Sequence, residues 1–469
     1  MEAERQHYNV TLAILVLAGA AFALQQTMVF PALPTFQREL DATAAWTTWV
    51  LTGFLVSAAV TTPILGKLGD QHGKERLLLV SLGLFLAGCI GAAAAWDIWS
   101  LIGFRVLSGA GGALFPLSFA IIRDELPPER AKVGYGLMSA VFGIGGGFGI
   151  VLSGVIVDHL TWRWLFILGS ISVAAAIVLV HRYVPESPVR APSRLDIPGA
   201  VLLGAALVAL MVALTEGERW GWTSPPILAL AAGSAVLFAV WGSVEVRSAA
   251  PLVDMRMLAY RPVLLTNLTT LAAGFALFGC FVLVPVFVQS PSSRGYGFGA
   301  SATEAGLYLL PSSCALLVAG PAAGVLGRRW GSKWPLVGGM ILTGVAALLL
   351  AAAHDQPWHV AAATGALGAG VGAAFAAIVA LIAENVSPTE TGVATGINTV
   401  TRMVGAVVGG QVGAAVLTAR TIGDTAFPAE SAFTTAFGLS AAAALVATLI
   451  AFSIASRPAG EPLAAGRST

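Results

Sequence analysis

Two arginines stand inside apolar runs long enough to cross a bilayer, Arg105 within 98–122 and Arg402 within 391–418. A guanidinium there is costly unless it is paired or faces a water-filled cavity. Arg105 therefore either ties to backbone carbonyls or serves a solute-binding cavity, and Arg402, about three turns from its helix start, has the further option of snorkelling to the surface. Gln25 and Gln26 in the first run offer uncharged amides, with Asn267 in the ninth as a partner across the molecule and Asn398 close to Arg402. Amides bind a polar group without fixing its charge, and they serve equally as interhelical hydrogen-bond glue. A third constellation is the polar cluster from Gly66 to Leu79, wedged between two apolar runs. Lys67, Lys74 and Arg76 mark a cytoplasmic face, and Gly66, Gly69 and Gly73 set how the two helices meet. Asp70 sits at a helix end, placed to pair with Arg123 at the end of the fourth run and to face a helix N-terminus from elsewhere in the chain; the bland alternative is a solvated loop charge, weak as exposed pairs are.

Nothing resembles a catalytic centre. The six histidines are scattered, no nucleophile lies beside a base, and Gly145 to Gly149 falls within a membrane run rather than between strand and helix. Cys89, Cys280 and Cys314 lie far apart in apolar runs, so buried core positions are expected, with no disulfide, metal or cofactor. An enzyme is not expected.

The elements that position these groups follow from composition. With 57% hydrophobic and 10% charged residues, the 469-residue chain belongs in a membrane. A net charge of +1, scattered in small loop clusters, gives no field for nucleic acid. Apolar runs near 10–30, 46–66, 77–96, 98–122, 134–157 and 163–183 are followed by a Pro- and Arg-rich linker, then by runs near 197–215 and 226–244. A charged linker leads to six more, near 262–288, 303–327, 334–353, 357–383, 391–418 and 432–455. The division is thus 1–184 for a first six-helix half, 185–261 for linkers and an inserted pair, 262–456 for a second half, and 457–469 for a tail. Lys and Arg fall 18 on one side of these runs and five on the other, with two inside them, which places both termini in the cytoplasm and supports fourteen spans. The first run exceeds a signal-peptide core and reads as a membrane helix.

The chain also repeats itself: Gly66-x-Leu68-Gly69-x-x-x-Gly73 recurs as Gly324-x-Leu326-Gly327-x-x-x-Gly331, each after the second run of a six-run set. Where the first copy has Asp70 the second has Arg328. Two halves related by an axis along the membrane normal are the architecture of a rocking carrier, with its solute near the midplane.

These residues resemble the major facilitator superfamily, and within it the fourteen-helix drug:proton antiporter group, over essentially the whole chain. Gly66, Leu68, Asp70, Gly73 and Lys74 match the helix 2–3 signature Gly-x-Leu-x-Asp-x-x-Gly-Arg/Lys, and Arg105-x-x-Ser108-Gly109-x-Gly111-Gly112 resembles the helix 4 signature. Leu24 to Pro34 is similar to the group's helix 1 motif, and Thr161 to Phe166 to its helix 6 entry. Residues 143–154 resemble the antiporter signature Gly-Pro-x-x-Gly-Gly, but Ile150 replaces the proline and Ser153 a glycine, which weakens the expectation of a kink. Small residues still allow close packing at Gly145, Gly149 and Gly154, as at Gly405, Gly409 and Gly413. Gln25 stands where the related pumps usually carry an acid, and no Asp or Glu is securely mid-span; Asp97, Asp158, Glu216, Glu304 and Glu384 come nearest to span ends, with Asp158 expected to pair with Arg163.

The resemblance implies an all-α major facilitator fold of 6 + 2 + 6 helices and a monomeric, multi-pass protein of the plasma membrane, in bacteria the inner one. It implies alternating-access export of an amphipathic or hydrophobic small molecule, with protons as the coupling ion and Asp70 as a gating latch. Phe115, Phe281, Tyr308 and Phe375, with Phe22 and Phe278, would line an aromatic cavity, although any one of them is more often core. A uniporter for a polar solute and a non-transporting membrane sensor are the rival readings.

Overall fold

The computed structural model describes residues 2–187, 196–248, 250–422 and 428–454, and among these every regular element is helical. Helices α1 (Glu2–Thr27), α2 (Ala44–His72) and α3 (Lys74–Ala93) open the chain. The fourth crossing, α4, joins Ile98–Ser108 to Leu114–Glu125 through a 3-10 stretch, Gly109–Ala113. The fifth, α5, joins Pro128–Gly143 to Ile150–His159 through a π-helical stretch, Ile144–Gly149, and α6 is Arg163–Tyr183. Then follow α7 (Ile197–Trp220), α8 (Pro225–Arg247), α9 (Arg261–Gln289), α10 (Ala302–Trp330), α11 (Lys333–Ala352), α12 (Pro357–Asn385), α13 (Thr391–Ala419) and α14 (Glu430–Phe452).

Thirteen of these are long and apolar enough to cross a membrane; α5 is the composite fourteenth, counted only by its apolar piece Gly147–Val157. The missing proline at Ile150 therefore does not leave α5 regular. Consecutive glycines, with little helix propensity of their own, let the ladder slip to a wider turn. The stretch 188–195, the tail 457–469 and the side chain of Asp158 lie outside the described residues.

Helix ends are set locally. Asp97 and Ser100 form a reciprocal capping box that starts α4, and the Ser100 N–H, at 2.7 Å, holds the Asp97 carboxyl below the usual carboxylate range. The turns after α2 and α10 end alike, on Gly73 with φ +119° and Gly331 with φ +86°, conformations that side chains with a Cβ rarely adopt. The sequence repeat is thus a repeat of backbone geometry.

Four apolar cores result among the described residues, one of them around Phe36, Trp162 and Phe166 and the other three as follows. In the first, the Phe22 ring sits 5.9, 5.0 and 5.7 Å from those of Phe54, Phe85 and Phe115. The second surrounds Phe287, Phe433 and Phe437 among α9, α11, α12 and α14. In the third, Leu203, Leu207 and Met211 of α7 pack with Ala59 of α2 and Val393 and Val400 of α13, so the inserted pair rests where α2 meets α13. Two cysteines are buried as expected, but Cys314 is exposed on α10.

The linker after α8 is held by a buried carboxylate: Glu245 accepts from the Trp241 indole at 2.8 Å and from the Val253 N–H at 3.2 Å. Glu245→Leu leaves both donors without an acceptor. It should lower stability in detergent by about 1–3 kcal/mol, read as a drop in melting temperature, while Glu245→Gln keeps an acceptor oxygen and loses less.

Candidate functional site

The groups singled out by sequence gather at two depths. At the cytoplasmic end of the α2–α13 contact, Gly66 and Gly392 touch backbone to backbone: a Cβ on either would lie 2.7 Å from the other's carbonyl oxygen. This approach brings Asp70, in the last turn of α2 and only 1% exposed, under the first turn of α13. Its Oδ1 accepts from the Gly392 N–H at 3.2 Å and its Oδ2 from the Val393 N–H at 3.0 Å. A side chain far away in sequence thus caps α13, using donors that the helix cannot satisfy itself and the positive end of its dipole.

Asp70 does not pair with Arg123 as expected. Its side-chain neighbour is Lys74, at 3.8 Å and fully buried, which also pairs with Asp124; Ser187 donates to the same Asp124 oxygen. Arg123 instead reaches across to the α12–α13 turn, donating to the carbonyls of Val386 (2.8 Å) and Ser387 (3.2 Å) and to Thr391 Oγ1 (2.5 Å). A guanidinium presents a fan of donors, and this turn offers unused carbonyls, whereas the Asp70 oxygens are already occupied by N–H groups.

A second interlock closes the opposite seam. Lys132, near the start of α5, lies 2.7 Å from Glu384 at the end of α12 and donates to the Gly327 carbonyl at 3.2 Å; Ser332 donates to Glu384 at 2.8 Å. Gly320 of α10 meets Gly136 of α5 so closely that a Cβ on it would lie 2.5 Å from the Gly136 oxygen. Both copies of the repeated turn therefore sit against the other half, and the cytoplasmic side is closed at both seams. Lys132, Asp124, Thr391 and the contact of Glu384 with the other half escaped sequence reading. The one available signal was positional: Arg123 ends the fourth span and Glu384 the twelfth, the fourth of the second half, equivalent places in the repeat.

Deeper in the membrane the candidates separate. Gln25 is fully buried against α6, where a Cβ on Gly169 would collide with it, and neither amide atom has a hydrogen-bond partner among the described residues. Asn267, expected to reach towards the first helix, instead accepts from Asn398 Nδ2 at 2.9 Å; the same nitrogen donates to Thr270, also at 2.9 Å, so this amide link joins α9 to α13. Gln26 is half-buried.

Arg105 is 1% exposed, donates through Nε to the Val50 carbonyl at 3.2 Å and lies 4.3 Å from the Phe54 ring centroid; Nη1 and Nη2 have no hydrogen-bond partner among the described residues. This is the backbone tie, with no cavity contact. Arg402 lies 4.9 Å from the ring of Phe375, ten residues or roughly 15 Å from the cytoplasmic end of α12. It turns inward across α12 and does not snorkel.

The aromatics do not form one cavity. Phe115 and Phe375 are buried in separate cores, Phe281 packs against the second core, and Tyr308 stacks on Phe298 at 5.6 Å. Helical spacing alone cannot tell a core face from a cavity face. Among the glycines, a Cβ at Gly145 would lie 2.6 Å from the Ala23 carbonyl, and those at Gly149, Gly405 and Gly409 would collide with Thr27, Leu271 and Phe275. Gly413 and Gly154 depart from the expectation: the nearest atoms would be ordinary contacts at 3.5 and 3.8 Å.

On the outer face the fold assembles a group the sequence kept apart: ligand atoms of His354, Asp355 and Glu430 lie within 4.8 Å of one another. His354 Nδ1 is 2.8 Å from the Leu350 carbonyl and Nε2 is 3.0 Å from Glu430, linking α11 to α14. Arg163 contacts the Ala95 carbonyl at 3.1 Å.

Comparison with known proteins agrees with this architecture. The Streptomyces glaucescens tetracenomycin C resistance and export protein is 29% identical over 338 residues, 71% of this chain and 61% of the relative. Multidrug resistance protein 3 of Bacillus subtilis is 30% identical over 313 residues, 66% of this chain and 60% of the relative. The Streptomyces coelicolor methylenomycin A resistance protein is 29% identical over 369 residues, 77% and 76% of the two chains. The chain thus matches about three fifths of the length of the first two. The crystal structure of the human organic anion transporter MFSD10 (TETRAN) superposes with a TM-score of 0.68 at 16% identity, covering 96% of this chain and 99% of that one, a likeness of fold. The family profile matches residues 15–296 and 291–468, and the chain belongs to the Major Facilitator Superfamily.

Proposed function

We propose that this chain is a monomeric secondary transporter of the plasma membrane, the inner membrane in a bacterium, and that it exports bulky apolar or amphipathic small molecules by alternating access. The halves 1–184 and 262–456 rock against each other, the segment 185–261 rides on the α2–α13 seam, and 457–469 is a cytoplasmic tail. The carrying observation is the Asp70 cap on α13. Its donors belong to the other half, so the bond exists only while the cytoplasmic ends are together. When they part, water can satisfy both the carboxylate and the N–H groups, which makes the lock reversible. The names of the relatives, resistance and export proteins, support the outward direction.

An ion gradient, that of the proton, supplies the energy in this reading. A second reading, gradient-independent uniport, is favoured by one feature: Gln25 is an amide and cannot carry a proton. Substrate-dependent proton flux in proteoliposomes separates them. Antiport requires solute efflux to fall on collapsing the pH gradient; equal flux with and without it selects uniport. Gln25→Asp that creates coupling absent from the native chain would also select uniport.

The interlock is tested by labelling a lone cysteine at Thr395→Cys, with native cysteines replaced, from the cytoplasmic side. Asp70→Ala removes charge-assisted hydrogen bonds of about 1.5–3 kcal/mol from the closed state only. Labelling should therefore rise roughly tenfold to a hundredfold, and Lys132→Ala should act in the same direction through the other seam. Unchanged labelling in both variants sinks the gating role.

A further inference from the structure

The second copy of the repeated turn has a side that the interlock does not use. Gly327 receives Lys132 of the other half and Ser332 donates to Glu384 of α12, whereas Arg328 and Arg329 are exposed and Lys333 is half-buried. Among the described residues none of the three has a carboxylate within 4.0 Å, and the nearby acid, Glu384, is engaged by Lys132 and Ser332. Beside them a groove of about 810 Å³ runs up the outer surface between α10 and α11. Trp330 and Trp334 stand at its mouth, Ala319, Ala323 and Gly338 line its wall, and Phe452 from the end of α14 flanks it. A Cβ at Gly338 would meet nothing within 4 Å, so the groove passes directly over that backbone.

The dimensions fit one leaflet. From Trp330 to Ala319 is eleven residues, roughly 16 Å of helix, about half of a bilayer's ~30 Å hydrocarbon core. Tryptophans mark the level of the headgroups. The basic residues share that level: Arg328 and Arg329 directly precede Trp330 at the end of α10, and Lys333 directly precedes Trp334 at the start of α11, within reach of a phosphate. We propose that this groove is a binding site for an anionic phospholipid of the cytoplasmic leaflet, with an acyl chain along Ala319, Ala323 and Gly338 and the headgroup held by Arg328, Arg329 and Lys333. The headgroup would grip the outside of the turn whose inside receives Lys132, so lipid occupancy would stiffen that interlock. The site requires only the membrane fold and stands apart from the transport reading.

The full chain in nanodiscs of equal phosphatidylglycerol and phosphatidylcholine provides the test, with retained lipid counted by native mass spectrometry after gentle delipidation. Phosphatidylglycerol should be enriched about fivefold or more over the bulk ratio, since each basic residue near an anionic surface contributes on the order of 1 kcal/mol. The variant R328Q/R329Q/K333Q should fall to the bulk ratio. Gly338→Leu, which keeps every charge and fills the groove, should lose retention of both lipids at this site. R247Q/R256Q, which removes cytoplasmic charge elsewhere, should leave the enrichment intact. Equal losses from the two charge variants would reduce the effect to general surface attraction and overturn the proposal, as would enrichment that survives both the triple variant and Gly338→Leu. Thermal melting of each variant in the same nanodiscs separates loss of lipid from loss of fold.

Discussion

A helix within a bilayer spends its backbone hydrogen bonds on itself, and the only main-chain groups left over are at its ends. The two halves of this molecule are locked through those groups. Asp70 takes two leftover N–H groups at the start of α13, and Arg123 takes leftover carbonyls in the turn just before it. Each bond joins a charged side chain of one half to main chain of the other. Main-chain partners at helix ends are held in place by the helix and need little ordering, and water can replace the charge when the halves separate. A side-chain ion pair in the same place would pay more conformational entropy for each closure.

Charged side chains can reach the opposing backbone only because glycines bring the helices together first. Gly66 against Gly392, and Gly136 against Gly320, remove the side-chain layer that usually separates packed helices. Within each half the same device works without charge, as at Gly405 and Gly409 beside α9. Small residues therefore set the distance at each of these contacts, and at the contacts between the halves charge is added to them. Arg105 shows the contrast. It is fixed by one carbonyl and a ring inside the first half, a permanent tie that no movement between halves needs to break.

Span number and the repeat were legible because each depends on composition over twenty residues or on a local pattern. The pairing of side chains was not. Asp70 stands out in the sequence, but its donors on Gly392 and Val393 are backbone groups, invisible to any search for complementary side chains. Lys132 and Glu384 are 252 residues apart and neither stands in a distinctive motif. Asn267 was matched to the wrong half since two amides on different helices carry no information about rotation around the helix axis. The aromatic residues failed likewise: Phe115 and Phe375 have the same surroundings in sequence whether they face a core or a cavity.

The repeated turn shows what duplication preserved and what it released. Both copies keep a glycine at positive φ, at Gly73 and Gly331, because no other residue reaches that conformation cheaply and the reversal between helices depends on it. Charge is not bound by that geometry. The position of Asp70 lies one helical turn before the glycine on the face that meets α13, whereas Arg328 occupies the matching position on α10 and is exposed. With the acid gone from the second turn, the charge that closes its seam comes from Lys132, on the opposite half, and its acceptors are Glu384 at the end of α12 and the Gly327 carbonyl at the end of α10. A helix start gathers donors and a helix end gathers acceptors, so an acid is the suitable partner for the first and a cation for the second. The exchange of sign between the two interlocks follows from which helix end each one grips.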